Sequence, residues 1–271
     1  MADIEMLSED EDKIEFLIKD VSYGFANGLR RSILSKVPKL AIDDVVVYEN
    51  SSALFDEMVA HRLGLLPIRA DTSLFVFRDE CVCNGEGCPN CTAVFTLTSE
   101  GPCTVYSKDL QMQSQDAGIS DAGIPIAELL DGQRLILECS AVLGVGEDHA
   151  KWQAVNGLAY KNYPVIEVGE CDLCGECIKS CPKRILETKE GKIVVTDVKM
   201  CSLCKSCEEV CDEGAIKIDF DPRSFIFRFE TDGSSAPKEI LKRALGIVEK
   251  EATSFANNLP RQVIRNKHNA T

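Results

Sequence analysis

Between residues 171 and 211 the chain places Cys171, Cys174, Cys177 and Cys181, and then Cys201, Cys204, Cys207 and Cys211. The spacing Cys-x2-Cys-x2-Cys-x3-Cys therefore occurs twice in succession. Three thiolates placed two residues apart in a tight loop wrap one side of an iron–sulfur cubane, while the fourth, after a longer gap, points away and ligates the neighbouring cluster. By that rule Cys171, Cys174, Cys177 and Cys211 hold one 4Fe–4S cluster, and Cys201, Cys204, Cys207 and Cys181 hold a second. Paired zinc sites would need Cys-x2-Cys pairs separated by a longer spacer, which evenly spaced quartets do not supply.

A further tetrad precedes these. Cys81, Cys83, Cys88 and Cys91 fall within eleven residues, with Gly85 and Gly87 free to turn the backbone around an ion. Four thiolates at that spacing suit a closed tetrahedral zinc site. A third iron–sulfur cluster fits less well, because the spacing lacks the repeated two-residue loop.

Fourteen cysteines in a secreted protein would mean disulfides, but Met1-Ala2-Asp3-Ile4-Glu5 carries neither a basic region nor an apolar one. No stretch approaches the roughly 18 uninterrupted apolar residues of a membrane span. The expectation is a cytoplasmic protein whose cysteines bind metal, with no membrane contact. Cys103 and Cys139, outside the tetrads, read as small buried hydrophobes. A net charge of −14 argues against a surface that grips nucleic acid.

Along the chain, Ile14 to Lys19 alternates as a strand. From Ser22 a helical stripe takes over, with Phe25, Leu29, Ile33 and Val37 at intervals of four before Pro38, and with Arg30 and Arg31 on other faces. Ala41 to Tyr48 is β-branched and strand-like, and Ser52 opens a short helix over residues 53–63 that Gly64 stops. Residues 93–98 and 134–139 read as strands, whereas 121–130 fits an extended segment or a turn equally. Gly144-Val145-Gly146 lacks the third glycine of a dinucleotide loop, and His149 beside Trp152 reads as solvated. Residues 192–196 and 215–220 look like strands of a ferredoxin-type repeat, and residues 223–230 alternate as another strand. Pro237 then starts a helix carrying Ile240, Leu241, Ala244, Leu245, Val248, Ala252 and Phe255 as one wide apolar stripe. The tail from Arg261 is basic.

Two of these blocks resemble a known family. Phe25-Ala26-Asn27-Gly28-Leu29-Arg30-Arg31-Ser32-Ile33-Leu34-Ser35 and Val37-Pro38, followed by Asp56-Glu57 and His61-Arg62-Leu63-Gly64-Leu65-Leu66-Pro67-Ile68, closely resemble the assembly subunit of multisubunit RNA polymerases. That family comprises the bacterial alpha N-terminal domain, the archaeal D-type subunits and their eukaryotic counterparts, and the cysteine tetrads point to the archaeal branch. The resemblance implies an α+β protein: a discontinuous dimerisation domain of two helices on an antiparallel sheet (1–48 and 221–271), a mixed β insert domain with a zinc loop (49–165), and a ferredoxin-like domain (166–220). It also implies that the Phe25 and Leu241 helices form the surface that pairs with subunit L, through Phe25, Leu29, Ile33, Leu241, Leu245 and Val248. Arg30 and Arg31 would face the large B-type subunit, and small subunits N and P would join the heterodimer. One departure is Asp212 after Cys211, where ferredoxins have the proline that follows Cys181.

No Ser/His/Asp set, phosphate loop or aspartate triad for nucleotidyl transfer is present, so the expectation is a non-catalytic platform subunit. The alternative is a ferredoxin-type electron carrier or oxidoreductase subunit, although no flavin or nicotinamide motif accompanies the cysteines.

Overall fold

The computed structural model describes residues 3–112 and 117–259. The basic tail from Arg261 lies outside the described residues. In chain order the elements are β1 (Asp3–Glu9), β2 (Lys13–Lys19), α1 (Tyr23–Ser35), β3 (Lys39–Asn50), α2 (Asp56–Gly64), β4 (Ile68–Ala70), β5 (Thr92–Glu100), β6 (Cys103–Tyr106), β7 (Gln111–Met112), β8 (Ala117–Ile119), β9 (Pro125–Leu129) and β10 (Arg134–Gly144). There follow β11 (Val155–Val168), α3 (Glu176–Ser180), β12 (Leu186–Lys189), β13 (Lys192–Val195), α4 (Ser206–Glu209), β14 (Ile216–Thr231) and α5 (Pro237–Asn258). This is a mixed α+β architecture, and no described helix is long and apolar enough to cross a membrane.

The chain divides into two units, one built mainly from Ile14–Asn27 and Leu158–Arg228, the other mainly from Gly28–Gly157 and the segment from Phe229. In the first unit the sheet runs in the order β1-β2-β14-β11. Aromatic side chains on alternate residues of β14 meet those of its neighbours: Phe227 stacks on Phe16 at 5.3 Å and on Tyr160 at 5.0 Å. Phe225 takes Tyr23 edge-on at 5.0 Å. Such pairs add about 0.5–1.5 kcal/mol each beyond the burial of their area. β1 pairs with β2 through a bulge between Met6 and Ser8, and the acidic run Ser8 to Asp12 that ends β1 and leads into β2 is exposed, a solvated face.

In the second unit β3, β10, β5 and β7 form an antiparallel sheet in that order. Val59 and Leu63 of α2 pack with Leu40, Ile42, Phe95, Leu137 and Ala141 into one core. Helix α2 starts at Asp56, later than expected. The cause lies in Asn50, whose side chain accepts from the Ser52 N–H and donates to the Leu54 carbonyl at 2.9 Å, holding residues 50–54 in a turn. Asp56 and Glu57 then occupy the first turn and His61 and Arg62 the last, complementing the helix dipole. Residues 125–129, undecided from sequence, are a strand paired with β6. Cys139 is buried in β10 as expected, but Cys103 is exposed, because β6 leaves that position facing solvent.

The Gly144-x-Gly146 pair has a packing cause. A Cβ at Gly144 would lie 2.3 Å from the Trp152 ring, and one at Gly146 would lie 2.5 Å from the Leu34 carbonyl oxygen. His149 accepts the Lys151 N–H through Nδ1 at 3.0 Å, capping the short turn that presents Trp152. The boundaries expected at 48, 165 and 220 fall inside β3, β11 and β14 respectively, since each strand continues past them.

Candidate metal centres

The eight-cysteine segment lies between β11 and β14, two long neighbouring strands. Their pairing is prolonged by the Gly169 N–H on the Ala215 carbonyl at 2.7 Å. Ile185, Leu186, Ile193, Ile216 and Ile218 form a small core there with the buried cysteines Cys177, Cys201 and Cys207. The sequence repeat is also a repeat of backbone shape. Leu173 and Leu203 take positive φ (65° and 59°), as do Gly175 and Lys205 (76° and 62°) and Arg184 and Gly214 (52° and 59°). The Leu173 N–H points at Cys171 Sγ and the Leu203 N–H at Cys201 Sγ, each at 3.4 Å. Left-handed residues between the cysteines turn successive sulfurs to one side. For a non-glycine residue this costs on the order of 1–3 kcal/mol and persists where the surroundings over-determine it.

Electrostatic neighbours of the buried cysteines come from both quartets. Burial pushes the Cys177 thiol up, and the negative charges of Cys171, Cys174 and Cys211 push it further. Burial likewise pushes Cys207 up to about 11, with Cys181, Cys201 and Cys204 adding to the effect. In each case one contributor, Cys211 for Cys177 and Cys181 for Cys207, belongs to the other quartet. Cys181, Cys201, Cys204 and Cys207 line one small pocket together with Ile166, Ile185, Leu186 and Ile218 and with Lys183, Ser202 and Lys205. Four soft sulfur donors lining one pocket fit a cubane.

The earlier tetrad is tighter. The sulfurs of Cys81, Cys83, Cys88 and Cys91 all lie within 4.8 Å of one another, with Cys81 to Cys88 at 3.5 Å and Cys83 to Cys91 at 3.6 Å. Gly85 and Gly87 adopt φ of 84° and 92° to close the turn. The N–H groups of Gly87 and Cys88 point at Cys83 and favour its thiolate, lowering its pKa. Four soft donors converging this closely fit a single tetrahedral ion, whereas a cubane holds its thiolates further apart. Arg78, which the sequence reading missed, anchors the loop by donating to the Gly85 carbonyl at 3.1 Å and to Asp44 at 2.9 Å. Nothing local marked it out, since Asp44 lies on β3.

The helices expected at an interface divide differently. Ser22 caps α1 through the Phe25 N–H, and the Ser32 hydroxyl reaches the Ala244 carbonyl of α5. Leu29 and Ile33 are 0% and 1% exposed, and Leu241 is also buried. Side chains without exposed surface have none to offer a partner, so these three belong to the chain's own core. Phe25, Arg30, Leu245 and Val248 are half-buried, Arg31 is exposed, and Phe255 is 68% exposed.

A family model described as the RNA polymerase Rpb3/RpoA insert domain matches residues 43–160, and one described as a 4Fe-4S dicluster domain matches residues 163–212. The DNA-directed RNA polymerase subunit Rpo3 of Methanosarcina acetivorans is 43% identical over 253 residues, 92% of this chain and 95% of that protein. The Rpo3 of Archaeoglobus fulgidus is 42% identical over 253 residues, covering 93% and 96%. That of Methanothermobacter thermautotrophicus is 42% identical over 254 residues, covering 92% and 96%. A likeness this even, spanning the polymerase blocks as well as the cysteine segment, is not one to ferredoxins alone, and the chain belongs to the Rpo3 family of DNA-directed RNA polymerase subunits.

Proposed function

We propose that this chain is a non-catalytic assembly subunit of RNA polymerase that pairs with subunit L along α5 and then receives the small subunits N and P and the large B-type subunit in the cytoplasm. The observation that carries the interface is the run of the α5 stripe. Ile240, Leu241 and Ala244 bury it at the start, and further along it continues through half-buried Leu245 and Val248 to exposed Phe255. An apolar face that outlasts its own core is the kind of surface a partner helix covers. In this reading Phe25, Leu245, Val248 and Phe255 contact subunit L, and Arg30 and Arg31 face the large subunit.

The cysteines are assigned accordingly. Cys171, Cys174, Cys177 and Cys211 would hold one 4Fe–4S cluster, Cys201, Cys204, Cys207 and Cys181 a second, and Cys81, Cys83, Cys88 and Cys91 one zinc ion. A 4Fe–4S cluster supplies one-electron chemistry and, through its four bonds, a cross-link that orders its loop. The chain's own contribution is the pair of left-handed loops, the isoleucine core and the crossed fourth ligands. The ferredoxin-carrier alternative accounts for this segment but not for the Rpb3/RpoA insert match outside it.

Co-expression with subunit L tests the platform. Val248→Asp with Phe255→Asp is expected to abolish co-purification while metal content stays unchanged; undiminished pairing would defeat the α5 interface. Anaerobic metal analysis is expected to find about eight irons and about one zinc per chain.

A further inference from the structure

Lys161 belongs to β11, yet its ammonium is tied to the second cysteine loop. Nζ donates to the Lys199 carbonyl at 2.6 Å and to the Cys201 carbonyl at 2.7 Å. A surface lysine sweeps through solvent; this one is half-buried and held by two short bonds beside a sulfur ligand. Glu15, Lys183 and Asp197 also act on it, so its charge is one part of a local field. The corresponding turn before Cys171 is held instead by the Gly169 N–H on the Ala215 carbonyl.

Equivalent positions of the two loops place their charges differently: Lys179 and Ile178 of the first become Glu209 and Glu208 in the second, on the far side of Cys207, while the positions between the first three cysteines change the other way. Asp172 and Glu176 of the first loop become Ser202 and Ser206 in the second, and Gly175 becomes Lys205. The Ser206 hydroxyl lies 3.5 Å from Cys204 Sγ, a hydrogen bond to a ligand sulfur. Asp212 and Glu213 directly follow Cys211, the crossed ligand of the first set, whereas Pro182, Lys183 and Arg184 follow Cys181, that of the second. The charged side chains lining the second cavity are Lys183 and Lys205, with no carboxylate among its walls. Glu208, 3.7 Å from Lys205, offsets part of that charge, and Lys179 is paired with Glu176 beside the first set at 2.7 Å.

Cluster potentials respond to net charge, to hydrogen bonds on the sulfurs and to solvent exposure. A fixed cation stabilises added negative charge, and does so more strongly where water is partly excluded. We infer that the two clusters are electrostatically unequal, that the one held by Cys201, Cys204, Cys207 and Cys181 accepts an electron first, and that Lys161 sets this order. This rests on the assignment of the eight cysteines to two clusters. The step is a one-electron reduction by a low-potential donor, dithionite in the assay below; the core charge falls by one, no bond forms or breaks, and no proton moves.

The experiment is a dithionite titration of the anaerobically prepared full chain followed by electron paramagnetic resonance, with iron counted first. Two resolved one-electron waves are expected. Lys161→Met moves the higher wave to lower potential by at least about tenfold in the reduction constant, about 59 mV for one electron, and leaves the lower wave in place; Lys161→Arg restores it. Should Lys161→Met cost half the iron, Lys183→Gln and Lys205→Gln are read instead and are expected to shift the same wave in the same direction. Coincident potentials with about eight irons present, a shift confined to the lower wave, or no shift in any variant overturns the inference. Only about four irons in the unmodified chain defeats the two-cluster assignment itself, and the inference with it, before any potential is read.

Discussion

Ser32 on α1 donates its hydroxyl to the carbonyl of Ala244 on α5 at 3.1 Å, a buried contact between helices 212 residues apart in sequence. Ala244 and Ser32 are both buried, so the two helices meet over small side chains and approach closely there. Lys36, in the turn directly after α1, forms an ion pair with Glu251 of α5. Ser32→Ala removes the hydrogen bond and is expected to cost about 1 kcal/mol. Ser32→Leu forces the helices apart and is expected to cost about 1–3 kcal/mol through overpacking. Thermal denaturation checks both, and equal melting temperatures for Ser32→Leu and the unmodified chain would contradict the close approach.

Leu29 and Phe255 separate folding from pairing. Leu29 is 0% exposed, and Leu29→Ala is expected to destabilise the chain by about 2–5 kcal/mol. Leu29→Asp buries a charge and is expected to abolish soluble expression. Phe255→Asp, at a position 68% exposed, is expected to leave the melting temperature within a degree or so of the unmodified protein and to weaken capture by subunit L. A large fall in melting temperature for Phe255→Asp would show that this residue belongs to the core.

Lys39 and Asp232 form a nearly buried ion pair, with side-chain exposures of 6% and 15%. The Lys39 ammonium also donates to the Lys151 carbonyl at 3.2 Å. Asp232→Ala leaves that charge without its counter-ion and is expected to cost about 3–5 kcal/mol. The double change Lys39→Met with Asp232→Leu is expected to cost less than Asp232→Ala alone. A double-mutant cycle in urea measures the difference, and a larger loss in the double variant would argue against burial as the controlling factor.

The crossed ligand sets can be read by alkylation. In Cys181→Ala under anaerobic conditions, iodoacetamide is expected to modify Cys201, Cys204 and Cys207 while Cys171, Cys174 and Cys177 stay protected. Mass spectrometry of the digested chain scores each site. Exposure of Cys171, Cys174 and Cys177 in place of the others would mean that each quartet keeps its own fourth ligand.

For the Cys81 to Cys91 tetrad, zinc binding requires thiolates, so the loaded state carries fewer protons than the empty one. Affinity is therefore expected to rise with pH, and release of zinc to a chelator to quicken as pH falls from about 8 to about 6. The N–H groups of Gly87 and Cys88 favour the Cys83 thiolate. A colorimetric zinc indicator follows the release; a rate independent of pH would argue against thiolate ligation.

By itself the sequence determined what depends on neighbours in the chain. Cysteine spacing marked both loops of the 4Fe-4S dicluster domain, because two- and three-residue gaps dictate which way successive sulfurs can point. Periodicity located α1, α5 and the strands β2, β3, β5 and β10, and the blocks around Phe25 and Asp56 carried the family. Only the tertiary structure decided which part of each apolar stripe is covered. Leu29 and Ile33 have the same hydrophobic character as Phe255, yet burial follows from what packs against a face and not from the face itself. The same holds for Cys103, alike in chemistry to Cys139 but turned to solvent on β6. Lys161 and Arg78 were invisible in the sequence for a related reason. Each acts on a loop through hydrogen bonds made across the fold, and a long cationic side chain shows its partner only once the strands have placed the two together.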